Sequence, residues 1–280
     1  MLRSSNVKQR DKFRLPPQPE LLHLLQNEIQ KDTPDINEIS TIISADVAIS
    51  AAVLKTINSP FFGMKCEVLS IQHALNLMGV DATIDVVMAL ALEESMAEGV
   101  VELPRFWDSA KNTANLCAFL AKKLKLHEPS QAYTLGLFHD AGIPLMASRF
   151  SDYLETLQQA NEKDNGLTTD MEEQKYNCNH ADMGYILSRE WGLPDAIRQV
   201  IRQHHDCSAM LKTNGEKTDP NAKLMVVLKL AEWGSEVFRS GKPTHEWEHI
   251  GQLVLDFLYM SEDDSLDLLE EMKEALIDAQ

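Results

Sequence analysis

The chain has little that could staple it or carry it through a membrane. Its four cysteines, Cys66, Cys117, Cys178 and Cys207, form no Cys-x-x-Cys pair. Neither a zinc ribbon nor a disulfide framework is suggested. Positive charge is scarce: 26 Lys and Arg stand against 43 Asp and Glu, for a net charge of −17. A field of that sign repels nucleic acid and anionic membranes unless a local basic patch opposes it. The one basic cluster, between Arg3 and Arg14, reads as a solvated flexible tail. Neither nucleic acid nor a membrane is therefore an expected partner. Long apolar runs are missing too. The longest, around Val86 to Leu92, meets Glu93-Glu94 well before the length of a spanning helix. The N-terminal residues lack an apolar signal core, so the expected location is the cytoplasm. No stretch alternates with period two, which argues against a sheet.

What the chain has is helical punctuation, and the expected fold class is all-α. Apolar residues make up 44% and charged residues 25%, which is ordinary for a globular protein. Pro16-Pro17 and Pro19 precede a helix over 20–29. Asp35 is placed to cap a helix over 36–43, and Ser44 one that runs to Ile57 and stops at Asn58-Ser59-Pro60. Ser70 caps another that ends at Gly79, and Asp81 opens an apolar helix. The spacing predicts a further helix over 133–146, a polar loop over 161–169, and helices from Asn179 to Trp191 and from Pro194 onward. In that last helix Ile197, Val200, Ile201 and His204 share one stripe. After Ser261 the chain is acidic, with Lys273 its only base. Leu266, Leu269, Met272, Leu276 and Ile277 keep helical spacing there, which predicts a packed amphipathic helix. The expected organisation is a tail over 1–14, a helical lobe over 15–99, a helical core over 104–235 and an acidic helical extension over 236–280.

Chemistry concentrates at GLFHDAGIP, residues 136–144, where His139 is followed by Asp140. Adjacent imidazole and carboxylate side chains can hold one edge of a divalent metal. They can also form an internal hydrogen-bonded pair that holds a helical core together. Ser109 lies upstream; His180, His204-His205 and Glu232 lie downstream. If these groups converge, they are expected to do so from within helices. Trp107, Trp191 and Trp233 are read as packing residues, and His73 as a hydrogen-bonding partner of a nearby loop.

Six segments together resemble the HDOD domain, the HD-related output domain of bacterial signalling proteins: LPPQPELLHLL (15–25), SADVAISAAVLKTINSPFFG (44–63), LSIQHALNLMG (69–79), FWDSAKNTA (106–114), GLFHDAGIP (136–144) and HADMGYILSREWGLPDAIRQVIRQHH (180–205). The resemblance implies an N-terminal helical bundle packed on a helical core of the HD superfamily. It also implies a regulatory module that binds a signalling protein or a small phosphorylated ligand without turnover. His139 and Asp140 match the central His-Asp of the HD phosphohydrolases. His180, with Gly184, matches a histidine seen also in HD-GYP cyclic-dinucleotide phosphodiesterases, and His204-His205 match the His pair that follows. Ser109 stands where those enzymes have their first histidine, and Glu232 where they have their last aspartate. The Gly-Tyr-Pro signature is absent, since Asp206-Cys207-Ser208 follows His205.

A serine hydroxyl is a poor ligand beside imidazoles, and Glu for Asp moves a carboxylate by one methylene. No tightly bound cofactor is therefore expected. The alternative is a metal-dependent phosphohydrolase acting on a nucleotide or cyclic-dinucleotide phosphodiester. In that reading His139, Asp140, His180, His204 and His205 hold iron, manganese or zinc, and Asp140 is the residue on which activity rests.

His245 to His249 spell the His-Glu-x-x-His pattern of zinc proteases. The pattern sits at a helix start capped by Thr244, where Glu246 and Glu248 favour the helix dipole. No sheet is expected to frame a peptide cleft, so the match reads as chance.

Overall fold

The computed structural model describes residues 15–97, 103–162, 168–212 and 219–279. The basic tail, Gly99 and parts of two polar loops lie outside these. The described residues contain helices and no strand. In chain order the helices are α1 (Glu20–Ile29), α2 (Ile36–Ala45), α3 (Val47–Ile57), α4 (Ile71–Met78), α5 (Val80–Ala97), α6 (Pro104–Leu124), α7 (Pro129–Phe138) and α8 (Gly142–Arg149). There follow α9 (Tyr153–Glu162), α10 (Thr168–Tyr176), α11 (His180–Glu190), α12 (Asp195–Gln203), α13 (Ser208–Lys212), α14 (Pro220–Ser240), α15 (His245–Leu258) and α16 (Glu262–Asp278). Among the described residues no single helix is long and apolar enough to cross a membrane.

Side-chain caps set many of the starts. The carboxylate of Asp35 accepts from Asn37 N at 2.8 Å, and Ser70 Oγ accepts from His73 N at 3.1 Å. Ser261 and Asp264 form a reciprocal capping box at α16. Such a cap contributes about 1 kcal/mol. The break between α2 and α3 differs from expectation. Ser44 stays inside α2, and Asp46 caps α3 by accepting from Ile49 N at 3.0 Å. Asp46 is extended, so the chain turns there, and its carboxylate satisfies an N–H that the turn would strand.

The middle of the protein is built by α6, α7 and α14, with α5 packed on α7. Leu116, Cys117, Leu135, Phe138, Leu224 and Leu228 are fully buried there. On the other side α11 packs on α8 and α12, and α12 on α14. The N-terminal segment is tied across the end of α11. Trp191 Nε1 donates to Pro16 O at 3.3 Å, and the amides of Gln18 and Gln26 each donate to Trp191 O at 3.4 Å. Lys122 of α6 donates to the carbonyls of Phe62 and Gly63 at 2.8 and 2.6 Å. His73 Nδ1 accepts from Leu69 N at 3.3 Å, a local loop contact.

Two expectations are corrected. In α16 the buried stripe is Leu268, Leu269, Met272 and Leu276, while Leu266 and Ile277 face solvent. The helix read over 133–146 is two helices, separated by a turn at 139–141.

Candidate metal centre

The His-Asp pair occupies that turn. His139 follows the last residue of α7, and Gly142 opens α8. Gly142 is there for a steric reason: a Cβ on it would fall 1.9 Å from the carbonyl oxygen of His180. The missing side chain lets the start of α8 approach the start of α11, which brings Asp140 to His180. Asn179 caps α11 by accepting from Asp182 N at 2.8 Å, so His180 is its first helical residue. His204 and His205 follow the last residue of α12. The site is therefore assembled from helix ends, not from helix interiors as the spacing suggested. Helix ends leave backbone groups and side chains freer to converge.

Asp140 lies at the centre. Its Oδ2 is 3.2 Å from His139 Nε2, and its Oδ1 is 3.4 Å from His180 Nε2 and 3.3 Å from His204 Nε2. His180 Nε2 and His205 Nε2 are 2.9 Å apart. Glu232 Oε1 is 3.8 Å from His139 Nε2. One ligand atom from each of Asp140, His180, His204 and His205 lies within 4.8 Å of all the others. His139, Asp140, His180, His204, His205 and Glu232 thus meet at one place. Ser109 on α6 and Glu232 on α14 line a cavity of about 640 Å³ together with His139, Asp140, His204 and His205.

Each imidazole turns its other nitrogen to an acceptor. His139 Nδ1 donates to Gly136 O at 2.7 Å, and His204 Nδ1 to Ile201 O at 2.6 Å. His180 Nδ1 lies 2.8 Å from Glu172 Oε2, whose carboxylate also accepts from His180 N and from the Tyr153 hydroxyl. His205 Nδ1 lies 2.9 Å from Glu246 Oε2. Lys229 Nζ donates to Glu246 Oε1 at 2.6 Å and to Glu232 Oε2 at 2.7 Å. Such outer partners fix the tautomer and orientation of a metal-ligating histidine.

The protonation pattern sharpens the picture. Burial, with His205 adding to it, pushes His204 down to about 4, so its ring is neutral. With Nδ1 donating, Nε2 carries a lone pair. That lone pair faces Asp140 Oδ1, and neither buried atom has a hydrogen-bond partner. Burial also opposes charge on His180, but Glu172 and Asp140 outweigh it and raise the ring to about 10. His139 is raised as well, the carboxylate of Asp140 overcoming burial. Asp140 is held well below the usual carboxylate range despite its burial, chiefly by His139 and then by the ring of His180. Burial disfavours charge on Lys229 too, yet Glu232 and Glu246 keep it firmly protonated.

Glu172, Tyr153, Lys229 and Glu246 were not foreseen. Glu172 sits on α10, a polar segment, and Tyr153 opens α9, where it reads as a packing residue. Glu246 did carry a signal, as the acid of the His-Glu-x-x-His match. Its neighbours do not converge as zinc ligands. His245 Nδ1 pairs with Glu248 at 3.2 Å, and His249 Nδ1 with the carbonyl of His245 at 2.7 Å.

A profile of the HDOD domain matches residues 15–207. The chain belongs to the HDOD family. An uncharacterised protein of Treponema pallidum is 25% identical over 193 residues, 69% of this chain but only 38% of that relative. Among solved structures, a Shewanella amazonensis protein provisionally named a phosphohydrolase superposes with a TM-score of 0.69 at 21% identity, covering 99% of this chain and 97% of that one. An HDOD domain protein of unknown function from Geobacter sulfurreducens gives 0.68 at 18% identity, covering 98% and 94%. At those identities the likeness concerns the HDOD fold alone.

Proposed function

We propose that this HDOD protein holds one divalent metal ion between Asp140, His180, His204 and His205, and acts as a regulatory module that binds a small phosphorylated ligand in the adjoining cavity. One observation carries the metal reading. His204 Nε2 and Asp140 Oδ1, both buried, face each other at 3.3 Å, and neither has a hydrogen-bond partner. A stranded buried acceptor costs about 1–3 kcal/mol, and here two are stranded together. A cation relieves both. Three imidazoles and one carboxylate suit iron, zinc or manganese.

Ser109 weakens the other side of the site, where only His139, Asp140 and Glu232 remain. Glu232 is also drawn away by Lys229, which takes its Oε2. The donor set thus favours a single ion over a pair. A divalent ion supplies Lewis acidity toward a phosphoryl oxygen. The chain's own residues then orient the ligand: His139 presents Nε2 beside Asp140 at the cavity wall, and Lys242 and Arg239, the latter held by Glu236, line the same cavity among several carboxylates.

Hydrolysis of a phosphoester is a second reading. It is favoured by His139, Asp140 and His205, which line the cavity. The test is calorimetric titration of metal-free protein with manganese and zinc, followed by assay of bis(p-nitrophenyl) phosphate with the metal present. The proposal expects saturable binding that His204→Ala abolishes, without turnover. Turnover that Asp140→Ala removes would put the second reading first. Wild-type protein that binds neither metal would end both.

A further inference from the structure

We propose that Glu246, backed by Lys229, is the positioning residue that readies His205 for the metal. The acceptor that completes the centre then comes from α15, beyond the part of the chain that matches the family. The inference rests on the reading that Asp140, His180, His204 and His205 hold a divalent ion.

His205 differs from the other histidines of the set. His204 finds its Nδ1 acceptor three residues back, at Ile201 O, and His180 finds its own in the buried Glu172 of the preceding helix. His205 lies in a turn, its side chain 17% exposed, and its acceptor is 41 residues further along the chain. A carboxylate at Nδ1 holds the proton there and leaves the Nε2 lone pair toward His180 and Asp140. Without it the ring is free to take the other tautomer or to turn toward the cavity.

Glu246 is built for this task and not for ligation. Both its oxygens are engaged, Oε2 by His205 and Oε1 by Lys229. Lys229 is 1% exposed, and it holds Glu246 and Glu232 side by side, where two unneutralised carboxylates would repel. The seating of α15 is fixed next door. Trp247 stacks on Trp233 of α14, with ring centroids 4.3 Å apart and planes within 2° of parallel. The consecutive pairs Glu232-Trp233 and Glu246-Trp247 thus meet face to face around Lys229.

The experiment uses the full chain, with zinc affinity read by competition against a chromophoric chelator and the site's symmetry read from the visible spectrum of bound cobalt. Glu246→Gln keeps the volume but offers one acceptor to two donors. It should weaken zinc binding about 10- to 100-fold and shift the cobalt bands. Glu246→Asp keeps the charge for Lys229 but withdraws the carboxylate from His205, and it should weaken binding over the same range. It decides the matter if the Gln variant does not fold. Glu248→Gln, in the same turn, should match wild type. In a His205→Ala background, Glu246→Gln should add less than about a twofold effect, because its route to the metal is gone. Wild-type affinity in either Glu246 variant, or an undiminished loss in the His205→Ala background, overturns the positioning role. A wild type that binds neither zinc nor cobalt overturns the metal reading itself, and this proposal with it.

Discussion

Replacing Gly142 with alanine adds one methyl group, and the structure makes its cost severe. The new Cβ would lie 1.9 Å from His180 O, 2.7 Å from His180 C and 2.9 Å from Gly184 N. All three are backbone atoms, so no rotamer change relieves the overlap. Either α8 or α11 must move. Overpacking of a well-packed core costs about 1–3 kcal/mol, and a clash against backbone belongs at or above the upper end. Alanine's helix propensity returns at most about 1 kcal/mol, and less in a first turn. Gly142→Ala should therefore lose about 2–3 kcal/mol in urea denaturation at an unchanged m-value. Gly184→Ala is the matched control. Its Cβ would meet the side-chain Cγ2 of Ile201 at 3.1 Å, a contact that can yield, so its loss should stay below about 1 kcal/mol. The displaced helix ends carry Asp140 and His180, so Gly142→Ala should also lose metal affinity. A Gly142→Ala protein within about 0.5 kcal/mol of wild type would refute the close-approach argument.

Two other outcomes are expected. Burial raises the carboxyl of Asp85 to about 6 from 3.8, against the opposing hydrogen bond from Ser130 at 3.1 Å. Because the folded value is the higher one, the stability it contributes is complete below the unfolded value and fades as pH rises through about 6. The difference amounts to at most about 3 kcal/mol. Asp85→Asn should thus gain on wild type as pH rises from about 4 to just above 6, and an Asn-minus-wild-type difference that is flat over that range would contradict this. Asp140→Ala removes the charge that His139 and His180 share, and should cost metal-free protein about 1–3 kcal/mol while abolishing metal binding. An unchanged melting curve together with retained metal would count against the assigned geometry.

The clustered histidines and Asp140 of the candidate site were legible in the sequence because their residue types are chemically specific and occur in one order. His139, Asp140, His180, His204 and His205 stand out wherever the helices place them. The residues that orient them did not stand out. Glu172 is one acid in the polar segment 168–176, and Lys229 is one base in a long apolar helix. Only the fold reveals that the first touches His180 and the second bridges Glu232 and Glu246. Glu246 was visible but misread, since an acid in a first turn has a sufficient local explanation in the helix dipole. The helix class was legible from caps and periodicity. The break at 139–141 was not, because residues 133–146 keep an apolar character across it and the turn is set by the contact of Gly142 with α11. Ser44 and Asp46 are both good caps, and only the backbone angle between α2 and α3 decides between them.

The central claim is that Asp140, His180, His204 and His205 form a metal centre. Anomalous diffraction from crystals of the full chain grown with zinc tests it most directly. The account predicts a peak bounded by Asp140 Oδ1 and the Nε2 atoms of His180, His204 and His205. A map with no peak there, or with zinc at His245 and His249 instead, would contradict it.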